Sequence, residues 1–314
     1  MKIVFMGTPS FSVTILKKII DAGHEIVLVV SQPDRRKGRG KKIRKSPVAE
    51  FALNNKLPLV QPDRVKTPEF TEIIEQCKAD AAVVAAYGRI LPAEVLCAPK
   101  YGCINVHASL LPKYRGAAPI QWAIRNGDES VGVSIMQLTE GMDEGPVFAR
   151  KAFPMDASWN KGDLFEQMAE YGGDLLVETL ERIEGGNLKP VPQNSDEATY
   201  APMFGKNDAH IHFASSADEI VRLNRSLMPD ESIYTYWQGK RLAFREASVC
   251  PSGNVAHIPG TVIVANKNKL LIACGQGALC VTIVQQEGKR AMPVADFLNG
   301  NQIAAGDYFD SSIE

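Results

Sequence analysis

"CINVHASLLPKYRG", residues 103–116, starts as an apolar run and ends in loop chemistry. Its first five residues read as a buried strand, because a short apolar run closed by turn residues fits a strand covered on both faces. Along a strand, residues two apart share a face. Asn105 and His107 therefore point the same way at the strand's carboxyl end. An amide N–H can donate to a developing oxyanion, and an imidazole can take or pass a proton near neutral pH. Such a pair alone is more often structural than catalytic, so its neighbours decide.

Upstream, "KIVFMG" (2–7), "EIVLVV" (25–30), "PLVQP" (58–62) and "ADAAVVAAYG" (79–88) read as strands. Between them lie helical patterns. In "TPSFSVTILKKIIDAG" (8–23), Ser10 can cap and Val13, Leu16, Ile19 and Ile20 recur at helical spacing. "PVAEFALNNKL" (47–57) starts at a proline suited to a first helical turn, and "TPEFTEIIEQC" (67–77) has Thr67 as its cap. Strand and helix alternating at this spacing predict β-α-β units and a mostly parallel, Rossmann-like sheet. Ligands of such sheets bind outside the carboxyl ends of the strands. The polar clusters after Val30, Ala86 and Val106 fall there.

Downstream come a helix in "APIQWAIRNGD" (118–128), strands in "GVSIMQL" (132–138) and "VFARKAF" (147–153), and a long helix over 163–183. Residues 184–207 then turn rich in Gly, Pro and polar residues without a period, which reads as a crossing linker. Beyond a helix in "SSADEIVRLNRSL" (215–227) the pattern is one of short strands, with "WQGK" suited to a hairpin turn. This predicts a small closed or partly closed β-barrel. The domain expectation is 1–188 catalytic, 189–206 linker and 207–314 β module.

The chain has 314 residues, 45% hydrophobic and 23% charged, which suits a globular protein with a real core. Net charge is −1, so affinity for a polyanion must come from local clustering. The six cysteines form no CxxC pair and show no metal-ligand spacing, so they read as reduced thiols. No signal-like or membrane-spanning run occurs, and the expected compartment is the cytoplasm.

Two features lie near the strand ends. "TEGMDEGP" (139–146) is a Gly-flanked loop whose Asp143 could orient a histidine. An amide donor, a base and an orienting carboxylate fit an acyl-transfer site, and with no Gly-x-Ser-x-Gly nucleophile the attacking group would come from the substrate. "RRKGRGKKIRK" (35–45) carries Lys or Arg at eight of eleven positions and no acid. A solvated loop is the plain reading. A polyanionic substrate with its reactive end in the site would explain both its density and its place. His210 and His212 lack further ligands in the sequence, so a strand with outward histidines is expected rather than a metal pair. "GTPSF" is not GxGxxG, which weakens a nicotinamide reading.

Together "FMGTPSF", "QPDRRKGRGKK", "AAYGRILP", "INVHASLLPKYRGAAPIQWAI" and "GVSIMQLTEGMDEGP" resemble the folate-dependent formyltransferases over nearly the whole chain. The basic segment and the C-terminal β module resemble their tRNA-directed branch. The resemblance implies Asn105, His107 and Asp143 as a catalytic triad, and Ser109, Leu110, Leu111 and Pro112 as the segment holding 10-formyltetrahydrofolate. It implies Arg35, Arg36, Lys37, Arg39, Lys41 and Lys42 as tRNA-binding residues, and an OB-like C-terminal tRNA-binding domain. The implied reaction is formyl transfer to the α-amino group of methionyl initiator tRNA, by a monomer without metal. Two departures stand out. Arg36 and Lys37 replace the Pro and small residue of many relatives, and Gly145-Pro146 is more like purine and sugar formyltransferases. A sugar-directed formyltransferase is therefore the alternative. A non-catalytic RNA-binding protein fits less well, because the Asn, His and Asp set is intact.

Overall fold

The computed structural model describes residues 1–37, 42–205, 207–250, 257–266 and 269–309. The chain divides into two compact units. One comprises Met1–Pro119, Ser130–Met155 and Leu164–Pro202, and the other Ile120–Glu129, Asp156–Asp163 and Met203–Glu314.

In chain order the first elements are β1 (Lys2–Gly7), α1 (Ser10–Asp21), β2 (Glu25–Val30), β3 (Arg35–Lys37), β4 (Lys42–Arg44), α2 (Pro47–Asn54), β5 (Leu59–Val60) and α3 (Pro68–Gln76). Next come β6 (Ala81–Ala85), α4 (Ala93–Cys97), β7 (Cys103–His107), α5 (Pro119–Asn126), β8 (Ser130–Gln137), β9 (Val147–Pro154) and α6 (Lys161–Glu184). Among the described residues the first unit holds a seven-stranded sheet of order β5-β2-β1-β6-β7-β8-β9. The pairs from β5 to β7 are parallel, while β7–β8 and β8–β9 are antiparallel. The sheet is thus mostly parallel, as the alternating pattern predicts. Strands β6 and β7 are buried along their whole length, which is why they read as unbroken apolar runs. The chain leaves β1 toward β2 on one side and later returns to β6 on the other. The resulting crevice opens at the carboxyl ends of the central strands.

Local chemistry sets the helix starts. Ser46 accepts from the Ala49 N–H at 3.0 Å and Thr67 from the Phe70 N–H at 3.3 Å, each satisfying an orphan donor of a first turn. Helix α1 differs from the expected Ser10 cap. Its cap position is Pro9, without a side-chain bond. Ser12 instead accepts from the Thr8 N–H and donates to the Ala85 carbonyl at 2.6 Å, tying the helix to β6. The long helix buries Leu164, Met168, Leu175, Leu176, Leu180 and Ile183, the stripe read from its 3.6-residue period. Burial pushes the Cys103 thiol up to about 12, so it stays a neutral, unreactive core group at physiological pH.

Residues 31–46 read as a polar loop, and within them the structure shows a short paired stretch. Strands β3 and β4 pair antiparallel, Arg35 opposite Arg44 and Lys37 opposite Lys42. Backbone pairing prevails over like-charge repulsion because the roots are fixed: Ser31 and Ser46 hydroxyls meet at 2.5 Å, and Ser31 is fully buried. Arg39 and Lys41 lie outside the described residues.

Residues expected to form the linker are pinned along the first unit as far as Pro202. Val191 exchanges both backbone hydrogen bonds with Val147 at 2.8 Å, and Ala201 N–H donates to the Arg115 carbonyl at 2.8 Å.

The second unit contains α7 (Ala217–Leu227), β10 (Tyr234–Trp237), β11 (Lys240–Cys250), β12 (Val262–Ala265), β13 (Leu270–Ala273), β14 (Ala278–Gln286), β15 (Met292–Pro293) and α8 (Val294–Asn299). Helix α7 starts with a reciprocal capping box between Ser216 and Glu219. Among the described residues the strands form an antiparallel sheet of order β10-β11-β14-β13-β12, with β15 on β14. Register shifts in β11 and β12 accompany its curl into a half-barrel. The "WQGK" reversal joins β10 to β11 with positive φ at Gln238 and Gly239, as a type I′ turn requires. The core gathers Phe213, Phe244, Phe297 and Phe309 with apolar residues of the strands. His210 differs from the outward strand histidine expected. It is fully buried, with its ring 5.3 Å from Tyr234, because the adjoining backbone pairs with β10 through the Ile211 N–H and Tyr234 carbonyl. Among the described residues no group of three or more His, Cys, Asp or Glu could hold a metal. None of the described helices is long and apolar enough to cross a membrane.

Candidate active site

Strand β7 is the last of the parallel series. Asn105 aligns with Val84 on one side and Met136 on the other, and His107 aligns with Ser134. Both side chains lie on one face and are almost wholly buried, at 8% and 6% exposure. Among the described residues the Asn105 amide has no hydrogen-bond partner. Its amide atoms do not count among the fully buried ones that lack a partner, so they open to the crevice and can meet a ligand group.

The turn beyond β7 folds back to hold His107. The ring Nε2 lies 3.0 Å from the Tyr114 carbonyl oxygen. A carbonyl only accepts, so Nε2 carries the hydrogen and Nδ1 is the lone-pair nitrogen of the neutral ring. Nδ1 stands 3.7 Å from Oδ2 of Asp143, beyond direct hydrogen bonding but close enough to stabilise a proton arriving on the ring. Asp143 is held in turn: its Oδ2 accepts from the Gly116 N–H at 2.8 Å. Its backbone is in the left-handed region, φ +54°, which turns the carboxylate back toward β7. The structure therefore brings Asn105, His107 and Asp143 to one strand end.

The Ser-Leu-Leu-Pro turn closes on itself. Ser109 donates to the Lys113 carbonyl at 2.6 Å, and Leu111 is buried with Met136 and Val147. Leu110 and Pro112 are half-buried. Beneath the turn, fully buried Ser134 accepts from the Leu111 N–H at 3.0 Å and donates to the Ser109 carbonyl at 2.7 Å. Arg150 donates to the Leu111 carbonyl at 2.6 Å. Ser134→Ala leaves two buried backbone groups unpaired. We expect a loss of about 1–3 kcal/mol, read as a drop in Tm of roughly 2–4 °C per kcal/mol.

Two residues that the sequence reading gave no role complete the support. Arg115 is only 2% exposed, and its Nε and Nη2 both donate to Oε1 of Gln193 at 3.1 Å. Gln193 Nε2 donates to the carbonyls of Asp143 at 2.8 Å and Gly145 at 2.7 Å. Gln193 sits in the stretch read as a linker. Its only sequence signal was a polar residue between Pro192 and Asn194, which any loop supplies.

The basic hairpin is anchored near the crevice. Arg35 donates to Gln32 Oε1 at 2.8 Å, and Gln32 donates to the carbonyls of Tyr87 and Gly88 at 2.9 and 3.1 Å. Gln61 adds bonds to the Gln32 carbonyl and Asp34. Arg36, Lys37 and Lys42 belong to its two strands.

An open sheet that brings an amide, an imidazole and a carboxylate together at the carboxyl end of β7 has the makings of a group-transfer site of the acyl type. The chain belongs to the formyl transferase family: the family model for formyl transferase matches residues 1–180, and that for its C-terminal domain matches 204–302. Among its full-length relatives is the methionyl-tRNA formyltransferase of Lachnospira eligens, 45% identical over 98% of each chain. HypX from Aquifex aeolicus, solved in complex with tetrahydrofolic acid, shares the fold with TM-score 0.65 at 20% identity, over 98% of this chain and 50% of that one. An N-formyltransferase from Helicobacter canadensis, in complex with folinic acid and dTDP-3-aminofucose, shares it with TM-score 0.67 at 19% identity, over 90% of this chain and 98% of that one.

Proposed function

We propose that this enzyme transfers the formyl group of 10-formyltetrahydrofolate to the α-amino group of methionyl initiator tRNA. The observation that carries the chemistry is the unpartnered Asn105 amide beside a His107 whose Nδ1 faces Asp143. The acceptor is supported by the name of the full-length relative and by the anchored basic hairpin.

In this reading the acceptor's neutral amine forms a bond to the formyl carbon. Asn105 donates to the formyl oxygen as charge develops there, a contribution of about 3–4 kcal/mol. His107 Nδ1 takes the proton released by the amine, and the Asp143 carboxylate stabilises the resulting imidazolium. The bond to the folate nitrogen then breaks, and His107 returns the proton to that nitrogen. The turn over 109–112 shapes the wall for the flat ring of the folate through its backbone and through Leu110 and Pro112. Arg35, Arg36, Lys37, Arg39, Lys41 and Lys42 of the basic segment contact the acceptor's phosphates, and the half-barrel supplies further tRNA surface. Holding the amine in place in this way lowers the entropic barrier.

Gly145 has a packing cause in this chain. A Cβ on Gly145 would overlap the Gln137 carbonyl oxygen, and the Pro146 carbonyl accepts from the Gln137 N–H at 2.9 Å.

The test offers 10-formyltetrahydrofolate with three acceptors in parallel: methionyl initiator tRNA, methionyl elongator tRNA and a nucleotide-linked amino sugar. Transfer to the initiator alone is expected, and transfer to the sugar alone would overturn the reading. Replacing Arg39 with Ala should raise KM for tRNA and reduce the slope of log KM against log salt by about 1. An unchanged slope would mean that the segment is only solvated.

A further inference from the structure

We propose that Gln193 is a positioning residue that fixes Asp143 for the transfer step. The inference rests on the proposed function, because it takes Asp143 as the partner of His107. A glutamine amide offers two N–H donors and two acceptor lone pairs. Gln193 uses all four. Its two donors go to the carbonyls of Asp143 and Gly145, and its oxygen takes both Arg115 Nε and Nη2. No other uncharged side chain could make this set at that length. Asp143 is thereby gripped on two sides, its backbone by Gln193 and its carboxylate by the Gly116 N–H.

The grip is a closed ring. Arg115 holds Gln193 through its side chain, and its neighbour Gly116 holds the Asp143 carboxylate. Backbone bonds lock Arg115 to the same strap that carries Gln193: its N–H donates to the Thr199 carbonyl and its carbonyl accepts from Ala201, each at 2.8 Å. Asp143 itself sits at a left-handed backbone angle, which aspartate tolerates better than most residues but still at some cost. Without Gln193 the loop loses both carbonyl bonds, and the carboxylate loses its registry with His107.

The test uses the full-length chain with Gln193→Met, which removes all four bonds at similar volume, and Gln193→Glu. The introduced carboxylate keeps the pairing with Arg115 but meets two carbonyl oxygens, only one of which its single O–H can satisfy once it is protonated. For both variants we expect kcat about a hundredfold lower, with KM for both substrates within about threefold. The Gln193→Glu deficit relative to the wild type should narrow as pH falls through the carboxyl range without a matching rise in Tm relative to the wild type, which a merely structural role would not produce. The Gly116 amide should exchange with deuterium at least about tenfold faster, since its acceptor is Asp143, while amides in α6 stay unchanged. A kcat within threefold of the wild type, or a rise in KM alone, would overturn the proposal. So would a loss that tracks Tm without recovery at low pH. If the wild type transfers no formyl group, the proposed function fails. The exchange of the Gly116 amide then still decides whether Gln193 positions Asp143.

Discussion

Asn105→Ala is expected to lower kcat by about 10²–10³-fold while leaving the affinity for tRNA within about twofold. The side chain is nearly buried, faces the carboxyl end of β7 and makes no hydrogen bond among the described residues. Removing it breaks nothing in the resting protein, so Tm should hold. The loss falls on the one state in which the formyl oxygen carries negative charge. A donor used only there lowers kcat and kcat/KM together. Asn105→Asp is the sharper comparison, because it keeps the size and replaces a donor with a negative acceptor. It should be at least as inactive as Asn105→Ala. Steady-state kinetics with filter binding of tRNA reads both quantities, and tRNA binding that fell in step with kcat would defeat the assignment.

Gly145→Ala is the second large effect, and it comes from backbone contact. A Cβ at this position would overlap the Gln137 carbonyl oxygen and stand 3.1 Å from Met136 Cε. The two segments cannot simply part, because the Gln137 N–H is bonded to the Pro146 carbonyl. The methyl group must therefore push the loop off the end of β8, taking with it the Gly145 carbonyl that Gln193 holds and Asp143 two residues away. We expect destabilisation of about 2–4 kcal/mol, in the range of severe overpacking, and kcat reduced about a hundredfold or more. Urea denaturation and single-turnover transfer measure the two parts. Gly141→Ala is the internal control. There the nearest atoms belong to the half-exposed side chain of Glu144, which can swing aside. That variant should behave like the wild type, and equal damage from both would mean that the loop tolerates no added methyl anywhere.

These two positions also mark where the sequence was legible and where it was not. Asn105 and His107 could be placed because a strand has a period of two and its end is announced by turn residues. The parallel order of the central strands came from the same alternation, and the apolar face of α6 from its helical period. The Gly145 contact was invisible, because it depends on how β8 lies against the loop that leaves it, which no local period encodes. Gln193 and Arg115 were missed for a related reason. Their bonds join residues separated by 78 positions, and one glutamine in a Pro-rich stretch looks like any loop residue. The basic segment was read for its charge but not for its pairing, since eight cations in eleven residues argue against a strand until its fixed roots are seen.

The serine pair at those roots bears on how such an enzyme could change its acceptor. Ser31 and Ser46 touch, so the chain leaves the sheet and returns at a single point. The described residues between them are tied to the framework through Gln32 and Asp34, while His107 and Asp143 are held by contacts that do not pass through this segment. The excursion is therefore a cassette. Its length, charge and shape can drift or be exchanged without retuning the chemistry, because loop closure across an existing contact adds little entropic cost as the loop grows. Residues 114–116 have the opposite character. Three consecutive positions there hold His107, Gln193 and Asp143 in turn, and inserting one residue would unseat all of them.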